Sequence, residues 1–322
     1  MNKRNLKLAK FFLEIFEFNE KKHIRKSINS LPMNAGLCLM DIGAAEGIEK
    51  RWQAFSFDLN YYGFEPDKRS FDKLKPSKEF KSSKIFQTAL WSEDKEIEIF
   101  LCKDPLTSSF YKPNRDLLDK FPIPNRFDIE GSAVFNAKKI DNLQIKNPHF
   151  IKIDIQGGEL EVLKGAKKNL KKTLGLELEV EFIKMYESQP LFGDVCKFLE
   201  DFDLEFIDFV GTRRWLRKEH LDIGQYIFAD ALFLKSPEKV LNKDSSLEDI
   251  LNYLKILLVY RRFDLLEKSI ELMDDELKSA LNKFLESIKP LKKNFNRIHF
   301  LNKFLTKFFR FFGVNYKSHL IY

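Results

Sequence analysis

The loop Asp41-Ile-Gly-Ala-Ala-Glu-Gly47 directly follows the apolar run Leu37-Cys-Leu-Met40, and no other stretch constrains the fold as strongly. An apolar run that ends in an acidic residue and a glycine-bracketed turn is typical of a buried strand that delivers its C-terminal end to a ligand. Gly43 and Gly47 would let the backbone approach that ligand without a Cβ clash, and a helix is expected to begin at the turn.

A second strand-like run, Leu59-Asn-Tyr-Tyr-Gly-Phe64, ends in Glu65-Pro66-Asp67, and Glu65 follows Gly47 by eighteen residues. An acidic residue at the end of the second strand of a doubly wound unit suits the hydroxyls of a ribose. The two segments together predict a nucleoside-binding site.

The identity of the nucleoside follows from what the loop lacks. A dinucleotide-binding loop has the pattern G-x-G-x-x-G, whereas this loop reads D-x-G-x-x-x-G with Ala45 at the position of the middle glycine. The carboxylates of Asp41 and Glu46 would repel a pyrophosphate. S-adenosylmethionine carries an ammonium and a sulfonium but no phosphate, so an acidic loop favours this cofactor and disfavours a nicotinamide.

Composition indicates a globular protein with room for one domain of ordinary size and additional segments. The chain has 322 residues, of which 44% are hydrophobic and 32% are charged. It has no apolar run of the ~18–20 residues that span a bilayer, and its N-terminus lacks the features of a signal peptide. The three cysteines lie singly, at Cys38, Cys102 and Cys196, which predicts reduced thiols in a cytoplasmic protein.

Charge is distributed unevenly along the chain. The net charge is +7, but residues 1–30 contribute +5 and residues 289–322 contribute +8, which leaves −6 for residues 31–288. A nucleic-acid-binding protein would need basic residues around its binding site. We therefore expect no nucleic-acid partner.

Strand-like and helix-like segments alternate from residue 37 to residue 235, which predicts an α/β sheet. The predicted strands are 37–42, 60–65, 84–90, 96–102, 149–154, 174–182, 204–210 and 228–234, and the predicted helices are 47–56, 68–75, 159–170 and 191–202. Residues 103–139 are rich in proline, serine and asparagine and are expected to form an irregular insertion that shapes a substrate pocket.

Three regions are predicted along the chain. Residues 1–35 would form a basic helical segment and residues 36–236 the α/β domain. Residues 237–322 would form a helical extension, because periodic leucines and isoleucines continue there without any strand pattern.

The motifs of residues 37–235 together resemble the FkbM-type methyltransferases, a branch of the class I fold that uses S-adenosylmethionine. In chain order, the resemblance rests on Asp41-Ile-Gly-Ala-Ala-Glu-Gly47, Tyr62-Gly-Phe-Glu-Pro-Asp67, Thr88-Ala-Leu-Trp-Ser92, Ile140-Asp-Asn-Leu143, Ile151-Lys-Ile-Asp-Ile-Gln-Gly-Gly-Glu-Leu-Glu-Val-Leu-Lys-Gly-Ala166, Glu179-Val-Glu-Phe182, Met185-Tyr-Glu-Ser-Gln-Pro-Leu-Phe192 and Asp230-Ala-Leu-Phe233. The departures are Ala45, where many relatives have asparagine, and Ser188, where glycine is common.

The resemblance implies a doubly wound, Rossmann-like sheet of seven strands, mainly parallel, with the last strand antiparallel. It also implies methyl transfer from S-adenosylmethionine, usually to oxygen, with sugar and polyketide hydroxyls among the family's substrates. The leading interpretation is an O-methyltransferase that acts on a sugar or surface glycan. The alternatives are methylation of a lipid or polyketide hydroxyl, and a non-catalytic cofactor-binding subunit of a glycan-assembly complex.

Cofactor-binding residues are expected at the ends of the first four strands. Asp41 would organise the turn and the amino-acid end of the ligand, or else cap the next helix, and Glu65 would hold the ribose hydroxyls. The segment around Ala89 would lie against the adenine. The full expected set is Asp41, Gly43, Ala44, Glu46, Gly47, Glu65, Pro66, Ala89 and Asp154.

Methyl transfer to a hydroxyl requires alignment of the oxygen, exclusion of water and a group that accepts the proton. Asp154, Glu159 and Glu181 are the candidate acceptors, and Lys152 shares a strand face with Asp154. Glu159 could instead be a helix-start acid and Asp154 a turn acid. We assign no metal site: Glu181 and Asp154 offer oxygen ligands for a divalent cation, but no cluster of histidine or aspartate supports one.

The C-terminal tail combines large aromatic residues with basic ones at helical spacing. Over residues 294–312, phenylalanines and leucines follow one face, and Lys303, Lys307 and Arg310 follow another. Such a helix suits an anionic membrane surface, and it equally suits packing on residues 236–288 or on a second subunit. We therefore expect a cytoplasmic protein that could contact the inner face of the membrane peripherally or form a homo-oligomer.

Overall fold

Seven strands form one sheet in this computed structural model, which describes residues 21–33, 36–76, 78–217, 224–293 and 295. The strands are β1 (Leu37–Ile42), β2 (Leu59–Phe64), β3 (Ser82–Phe86), β6 (Phe150–Ile153), β7 (Gly175–Glu181), β8 (Glu205–Trp215) and β9 (Gln225–Leu234). Their order across the sheet is β3-β2-β1-β6-β7-β9-β8.

Parallel pairing joins β3, β2, β1, β6 and β7, whereas β9 runs antiparallel to both β7 and β8. The predicted seven-stranded, mainly parallel sheet with an antiparallel last strand is therefore confirmed. The chain reverses its direction of travel across the sheet between β1 and β6. In open α/β sheets, ligands bind outside the carboxyl ends of the strands at such a switch point.

Helices lie between the strands and after them. They are α1 (21–29), α2 (Lys50–Gln53), α3 (Lys68–Phe71), α4 (Arg115–Leu118), α5 (Glu159–Lys164), α6 (Lys167–Leu170), α7 (Phe192–Leu199), α8 (Pro237–Val240), α9 (Leu247–Val259), α10 (Phe263–Leu272), α11 (Asp275–Ala280) and α12 (282–293). The helix predicted over 159–170 is divided at Gly165 and Ala166 into α5 and α6. A Cβ at Gly165 would lie 2.1 Å from the carbonyl oxygen of Trp91. The backbone at residue 165 passes so close to the Trp91 carbonyl that only glycine fits there.

The insertion at residues 103–139 is less irregular than predicted. Strand β5 (Ile129–Ala137) pairs antiparallel with β4 (Lys95–Cys102) in a separate two-stranded sheet. The prediction failed here because β5 contains glycine, serine and asparagine and leaves Val134 63% exposed, so it has no apolar face to signal a strand. Its pairing depends on β4, which is distant in sequence.

Both faces of the sheet are covered. Leu39 and Phe150 point to one face and pack against the C-terminal helices, whereas Met40 and Ile151 point to the other face and pack against α5 and α7. Burial on both faces explains why β1 and β6 read as unbroken apolar runs. On the first face, Phe150 contacts Trp52 and Tyr260, with ring centroids 5.1 and 5.3 Å away.

The helical extension shares this first core with the sheet. Helix α9 begins at Ser246, whose hydroxyl accepts a hydrogen bond from the Asp249 backbone N–H at 3.1 Å. Its residues Leu251, Leu254 and Ile256 are fully buried. The division of the chain into three regions stays a prediction.

Two further predictions concern membranes. Across the described ranges of the chain, no helix combines the length and the apolarity that a bilayer span requires. The basic tail predicted over 294–312 lies outside the described residues, apart from Phe295, whose ring centroid is 5.3 Å from that of Phe263.

Candidate functional site

A cavity of about 400 Å³ opens at the carboxyl ends of the central strands, where the switch point lies. One side is formed by the loop after β1, the end of β2 and the turn after β6. The other side is formed by the insertion and by the β8–β9 hairpin. Of the expected site residues, those on the cavity wall are Gly43, Glu46, Gly47, Glu65, Pro66, Ala89, Lys152 and Asp154.

The loop after β1 is held closely against the turn after β6. Gly43 has a φ of +80°, and a Cβ at this position would lie only 1.8 Å from the carbonyl oxygen of Asp154. Its N–H and that of Ala44 donate to the Phe64 carbonyl at 2.9 and 3.1 Å. Only glycine satisfies both the backbone angle and the close approach. The approach is to the turn after β6, whereas the predicted approach of this loop to a ligand stays a prediction.

Glu65 presents a carboxylate to the cavity at the end of β2. It is only 6% exposed, and its Oε1 accepts a hydrogen bond from the Asp67 backbone N–H at 2.8 Å. Burial raises the pKa of Glu65 to about 7, against the lowering effect of that hydrogen bond. A buried carboxylate with one oxygen held by the backbone is oriented in advance for a pair of hydroxyls.

Asp41 and Ala44 lie behind the cavity rather than on its wall. The Tyr61 hydroxyl donates to Asp41 Oδ2 at 2.8 Å, and Lys152 Nζ lies 3.8 Å from Oδ1, which accepts no hydrogen bond from the described residues. Burial raises the pKa of Asp41. Asp41 therefore fixes the end of β1 and the position of Lys152, and it caps no helix.

Lys152 lies between the buried Asp41 carboxylate and the cavity. Its Nζ lies 3.7 Å from Asp154, 3.8 Å from Asp41 and 3.9 Å from Glu49. Burial alone would lower the pKa of Lys152, but the three carboxylates outweigh burial and raise it. Lys152 is consequently a permanent cation, so it can stabilise ionised carboxylates but cannot act as a general base.

Asp154, Glu179 and Asp230 are three of the carboxylates that line the cavity, and we call these three the cavity cluster. The Gln156 side-chain amide donates to Asp154 Oδ1 at 3.1 Å and to Glu179 Oε2 at 2.9 Å. Glu179 and Asp230 are paired residues in the β7–β9 register. Burial and the nearby Asp154 carboxylate raise the pKa of Glu179 well above its usual range and that of Asp230 to about 6.

Sequence reasoning assigned no role to Asp230 or to the Gln156 side chain. In the sequence, Asp230 stands only at the start of a late motif, although an acidic residue inside an otherwise apolar strand is itself a signal of function. Gln156 adopts a φ of +61°, which turns the chain sharply after β6 and brings its amide between two carboxylates. No sequence pattern predicts that orientation.

Glu159 and Glu181, two of the predicted proton acceptors, do not lie on the cavity wall. Glu159 Oε1 accepts hydrogen bonds from the backbone N–H groups of Ile155 and Gly157, at 2.9 and 3.2 Å. It therefore closes the turn after β6, and burial raises its pKa to about 7. Glu181 is 2% exposed, and burial raises its pKa well above the usual range.

His149 lies outside the cavity wall and has a structural role. His149 Nδ1 accepts a hydrogen bond from the Cys38 backbone N–H at 2.9 Å, and burial lowers the pKa of this histidine to about 4. In the described part of the chain, no three His, Cys, Asp or Glu side chains are grouped so as to hold a metal ion.

Comparisons with known proteins agree with the motifs. The sequence matches the family described as the methyltransferase FkbM domain over residues 41–206, slightly more than half of the chain. No curated protein matched the sequence.

Two solved structures are distantly similar. A methyltransferase FkbM from Methylobacillus flagellatus KT aligns at 15% identity with a TM-score of 0.36, over 62% of this chain and 44% of that one. A precorrin-6y C5,15-methyltransferase from Geobacter metallireducens GS-15 aligns at 13% identity with a TM-score of 0.32, over 66% of this chain and 88% of that one. This chain therefore spans less than half the length of the first of these relatives.

Proposed function

This chain belongs to the FkbM methyltransferase family, and we propose that it transfers a methyl group from S-adenosylmethionine to a hydroxyl of a sugar or surface glycan. The observation that carries the proposal is the Glu65 carboxylate, buried at the end of β2 on the wall of a cavity whose opposite strand ends also bear carboxylates. This is the position at which a doubly wound sheet binds ribose hydroxyls.

The charge of the cavity supports this cofactor. Glu46, Glu65 and Asp154 lie on the cofactor side of the wall, where they would attract an ammonium and a sulfonium and repel a pyrophosphate. Gly43 lets the loop after β1 pack against the turn after β6, which fixes the cofactor side of the cavity. The residues present therefore fit S-adenosylmethionine, which supplies an activated methyl group when bound.

The chain itself must orient the acceptor hydroxyl and remove its proton. We propose Asp230 as the group that accepts this proton, because its side chain is only partly buried, lies on the cavity wall and has a pKa of about 6. A base is most effective when its pKa lies near the working pH. Asp154, held by Gln156 and close to Lys152, would keep the neighbouring charge fixed.

A sugar acceptor is supported by the side of the cavity that faces away from the loop after β1. The Trp215 indole and the Arg213 guanidinium lie on that wall together with Asp230. A flat aromatic surface beside a few polar groups gives a site both contact area and orientation. A lipid or polyketide hydroxyl would instead favour a wall of apolar residues.

The cofactor proposal is tested by calorimetric titration with S-adenosylhomocysteine. We expect binding by the full chain, at least about tenfold weaker for Glu65→Gln, which keeps an oxygen for the Asp67 N–H but loses the charge. Glu98→Gln, on an exposed position of β4, is the control and should bind like the natural chain. Absence of binding by the natural chain, with Glu65→Gln no different from it, would remove the enzyme interpretation. Equal measurable affinity in all three proteins would contradict the role of Glu65.

The acceptor proposal needs a separate experiment. We expect mass spectra of surface glycans from cells that lack the gene to show a loss of one methylene mass from a sugar unit. Unchanged glycans and a changed lipid fraction would favour the lipid acceptor. Cofactor binding without any lost methyl group would favour a non-catalytic subunit.

We further propose that the protein works in the cytoplasm and meets the inner face of the membrane through its basic tail. The support is the sequence pattern of residues 294–312 alone. In the full chain, replacement of Lys303, Lys307 and Arg310 by glutamine should reduce sedimentation with anionic liposomes. Equal sedimentation of both proteins would contradict this placement.

A further inference from the structure

The insertion and the β8–β9 hairpin contribute two guanidinium groups, Arg126 and Arg213, to the cavity wall. The hairpin also carries the Asp230 carboxylate beside Arg213. An S-adenosylmethionine site does not by itself require two cations on the acceptor side. Their hydrogen bonding indicates what they could bind.

Arg213 lies exposed on β8 at the cavity wall. Its Nη1 donates to the carbonyl of the adjacent Thr212 at 3.3 Å, and no carboxylate of the described residues lies within ion-pair distance. Asp230 is close enough for the Arg213 charge to lower its pKa, yet no hydrogen bond joins the two. The guanidinium is therefore free to receive an anionic group of a ligand.

The neighbouring Arg214 shows the opposite arrangement. Its Nη1 donates to the Gly224 carbonyl at 2.9 Å, and its guanidinium lies 3.2 Å from the ring centroid of Tyr226. Successive side chains of a strand point to opposite faces, so Arg214 is directed away from the cavity. The Arg214 guanidinium stabilises the β8–β9 hairpin, whereas the Arg213 guanidinium does not.

Arg126 provides a second available donor. Its Nη2 pairs with Asp104 at 2.8 Å, which fixes the guanidinium, but its Nε is buried and has no acceptor among the described residues. Buried donors without a partner are rare in native proteins because they lose their hydration without compensation. Because no solvent reaches Nε, the donor that a ligand can meet is Nη1, which makes no hydrogen bond to the described residues and belongs to a side chain that lines the cavity.

Trp215 supplies a fixed surface beside these two arginines. The indole is half-buried, and it packs against the rings of Phe121, Phe127 and Phe228 at centroid distances of 5.4, 6.0 and 6.3 Å. Three aromatic contacts hold the indole in one orientation. The part of it that lines the cavity can contact a ring-shaped ligand.

We propose that the acceptor is a sugar that carries an anionic group, a carboxylate or a phosphate ester, bound by Arg213 and Arg126 with its ring against Trp215. The guanidinium fork matches the two oxygens of such a group better than any other side chain does. This inference rests on the proposed function, because the acceptor hydroxyl must lie beside the bound methyl donor.

The test is a titration of the full chain, saturated with S-adenosylhomocysteine, with D-glucuronate, glucose 1-phosphate or glucose. At least one charged sugar should bind about tenfold more tightly than glucose, and Arg213→Gln should abolish that preference. Arg214→Gln, the matched control, should retain it. The carboxylate and phosphate titrations identify which anion the site prefers.

Three outcomes would overturn the inference. They are equal binding of charged and neutral sugars, equal effects of the two arginine substitutions, and a loss of S-adenosylhomocysteine affinity in Arg213→Gln. The last result would mean that Arg213 binds the carboxylate of the cofactor instead. Absence of S-adenosylhomocysteine binding by the natural chain would instead count against the proposed function, so the two failures are distinguishable.

Discussion

Glu177 and Glu179 lie two residues apart on one face of β7, yet they belong to opposite kinds of environment. Glu177 Oε2 accepts a hydrogen bond from the Tyr260 hydroxyl at 2.6 Å and lies 3.6 Å from Arg51. Glu179 receives only the neutral amide of Gln156 and faces the carboxylates of the cavity cluster. One strand thus supplies a paired carboxylate to the core and an unpaired one to the site.

The paired environment extends along the contact between the sheet and the C-terminal helices, which we call the helix seam. It consists of the Glu177–Tyr260 and Glu177–Arg51 contacts and the buried Lys255–Asp58 ion pair, whose atoms are 2.6 Å apart. Cations and hydroxyls face carboxylates there, so these contacts favour one position of the C-terminal helices against the sheet. The cavity cluster concentrates like charges, which disfavours folding and suits a cationic ligand.

The largest expected effect comes from breaking the seam at Lys255. Lys255→Met would leave the Asp58 carboxylate, 1% exposed, without its partner, so we expect a loss of about 3–5 kcal/mol in the free energy of unfolding. Urea denaturation would measure the loss. Lys239→Met, which breaks an exposed pair with Asp203, is the control and should cost less than about 1 kcal/mol. Equal losses of stability in the two variants would contradict the expectation that the buried ion pair of the seam contributes more than an exposed ion pair.

A glycine substitution tests whether the cavity loop is packed as tightly as the seam. Gly43→Ala combines a positive φ with a Cβ placed 1.8 Å from the Asp154 carbonyl, so we expect about 3 kcal/mol of destabilisation. Gly47→Ala has a similar φ of +73° but no atom within 4 Å of the added Cβ, and about 1–2 kcal/mol is expected. Thermal unfolding of the two variants separates the clash from the backbone strain, and identical midpoints would contradict the close approach.

Tyr260→Phe tests whether the helix seam and the cavity depend on each other. Loss of a hydrogen bond to a buried carboxylate should cost about 2 kcal/mol of stability. Arg51 pairs with both Glu177 and Glu49, and Glu49 lies near Lys152, so we also expect a several-fold weaker binding of S-adenosylhomocysteine.

Tyr253→Phe is the matched control for that substitution. Tyr253 lies on the same helix, and its hydroxyl donates to the Lys235 carbonyl at 2.6 Å, away from the cavity. It should lose about 1 kcal/mol and leave cofactor affinity unchanged. Unaltered affinity in both variants would show that seam and cavity act independently.

The smallest expected effect is a gain in stability. The pKa of Glu179 is raised above its ordinary value of 4.5, so as pH rises from 4.5 the unfolded chain loses this proton before the folded chain does. Ionisation of Glu179 therefore favours the unfolded chain increasingly as pH rises above 4.5. We expect Glu179→Gln to be about 1 kcal/mol more stable than the natural chain at pH 8 and equally stable at pH 4.

Urea denaturation at the two pH values, with the exposed Glu98→Gln as control, checks this sign. A loss of stability at pH 8 in Glu179→Gln would mean that the cavity cluster is as well paired as the seam.

Sequence patterns predicted residues on the proposed cofactor side of the cavity because these residues follow their strands immediately. Glu65 and Gly43 come directly after β2 and β1, so the position of the strand determined the position of the residue. The predicted acceptors Glu159 and Glu181 also follow or end strands, but hydrogen bonding of Glu159 to its own turn directs it away from the cavity. Side-chain direction at a turn depends on local backbone angles that spacing does not encode.

The acceptor side could not be predicted in the same way. Arg126 lies in an insertion that looked irregular, and Arg213 and Asp230 reach the cavity only because β8 and β9 pair with each other and with β7. These contacts join residues that are remote in the chain. Nothing in the local pattern around Arg213 distinguishes it from Arg214.

The sequence by itself determined the alternating α/β architecture, the family and the loop that we propose binds the cofactor, because each depends on short-range periodicity or on contiguous motifs. Only the tertiary structure decided which buried carboxylates are paired and which face the cavity, since Glu177 and Glu179 are indistinguishable by sequence on one strand face. The helices after residue 236 provide Tyr260 and Lys255 to the seam, and the β8–β9 hairpin provides Asp230 and the acceptor wall. Pairing of charges in a core is set by long-range packing, and that packing separates the residues that stabilise this fold from those proposed to perform its chemistry.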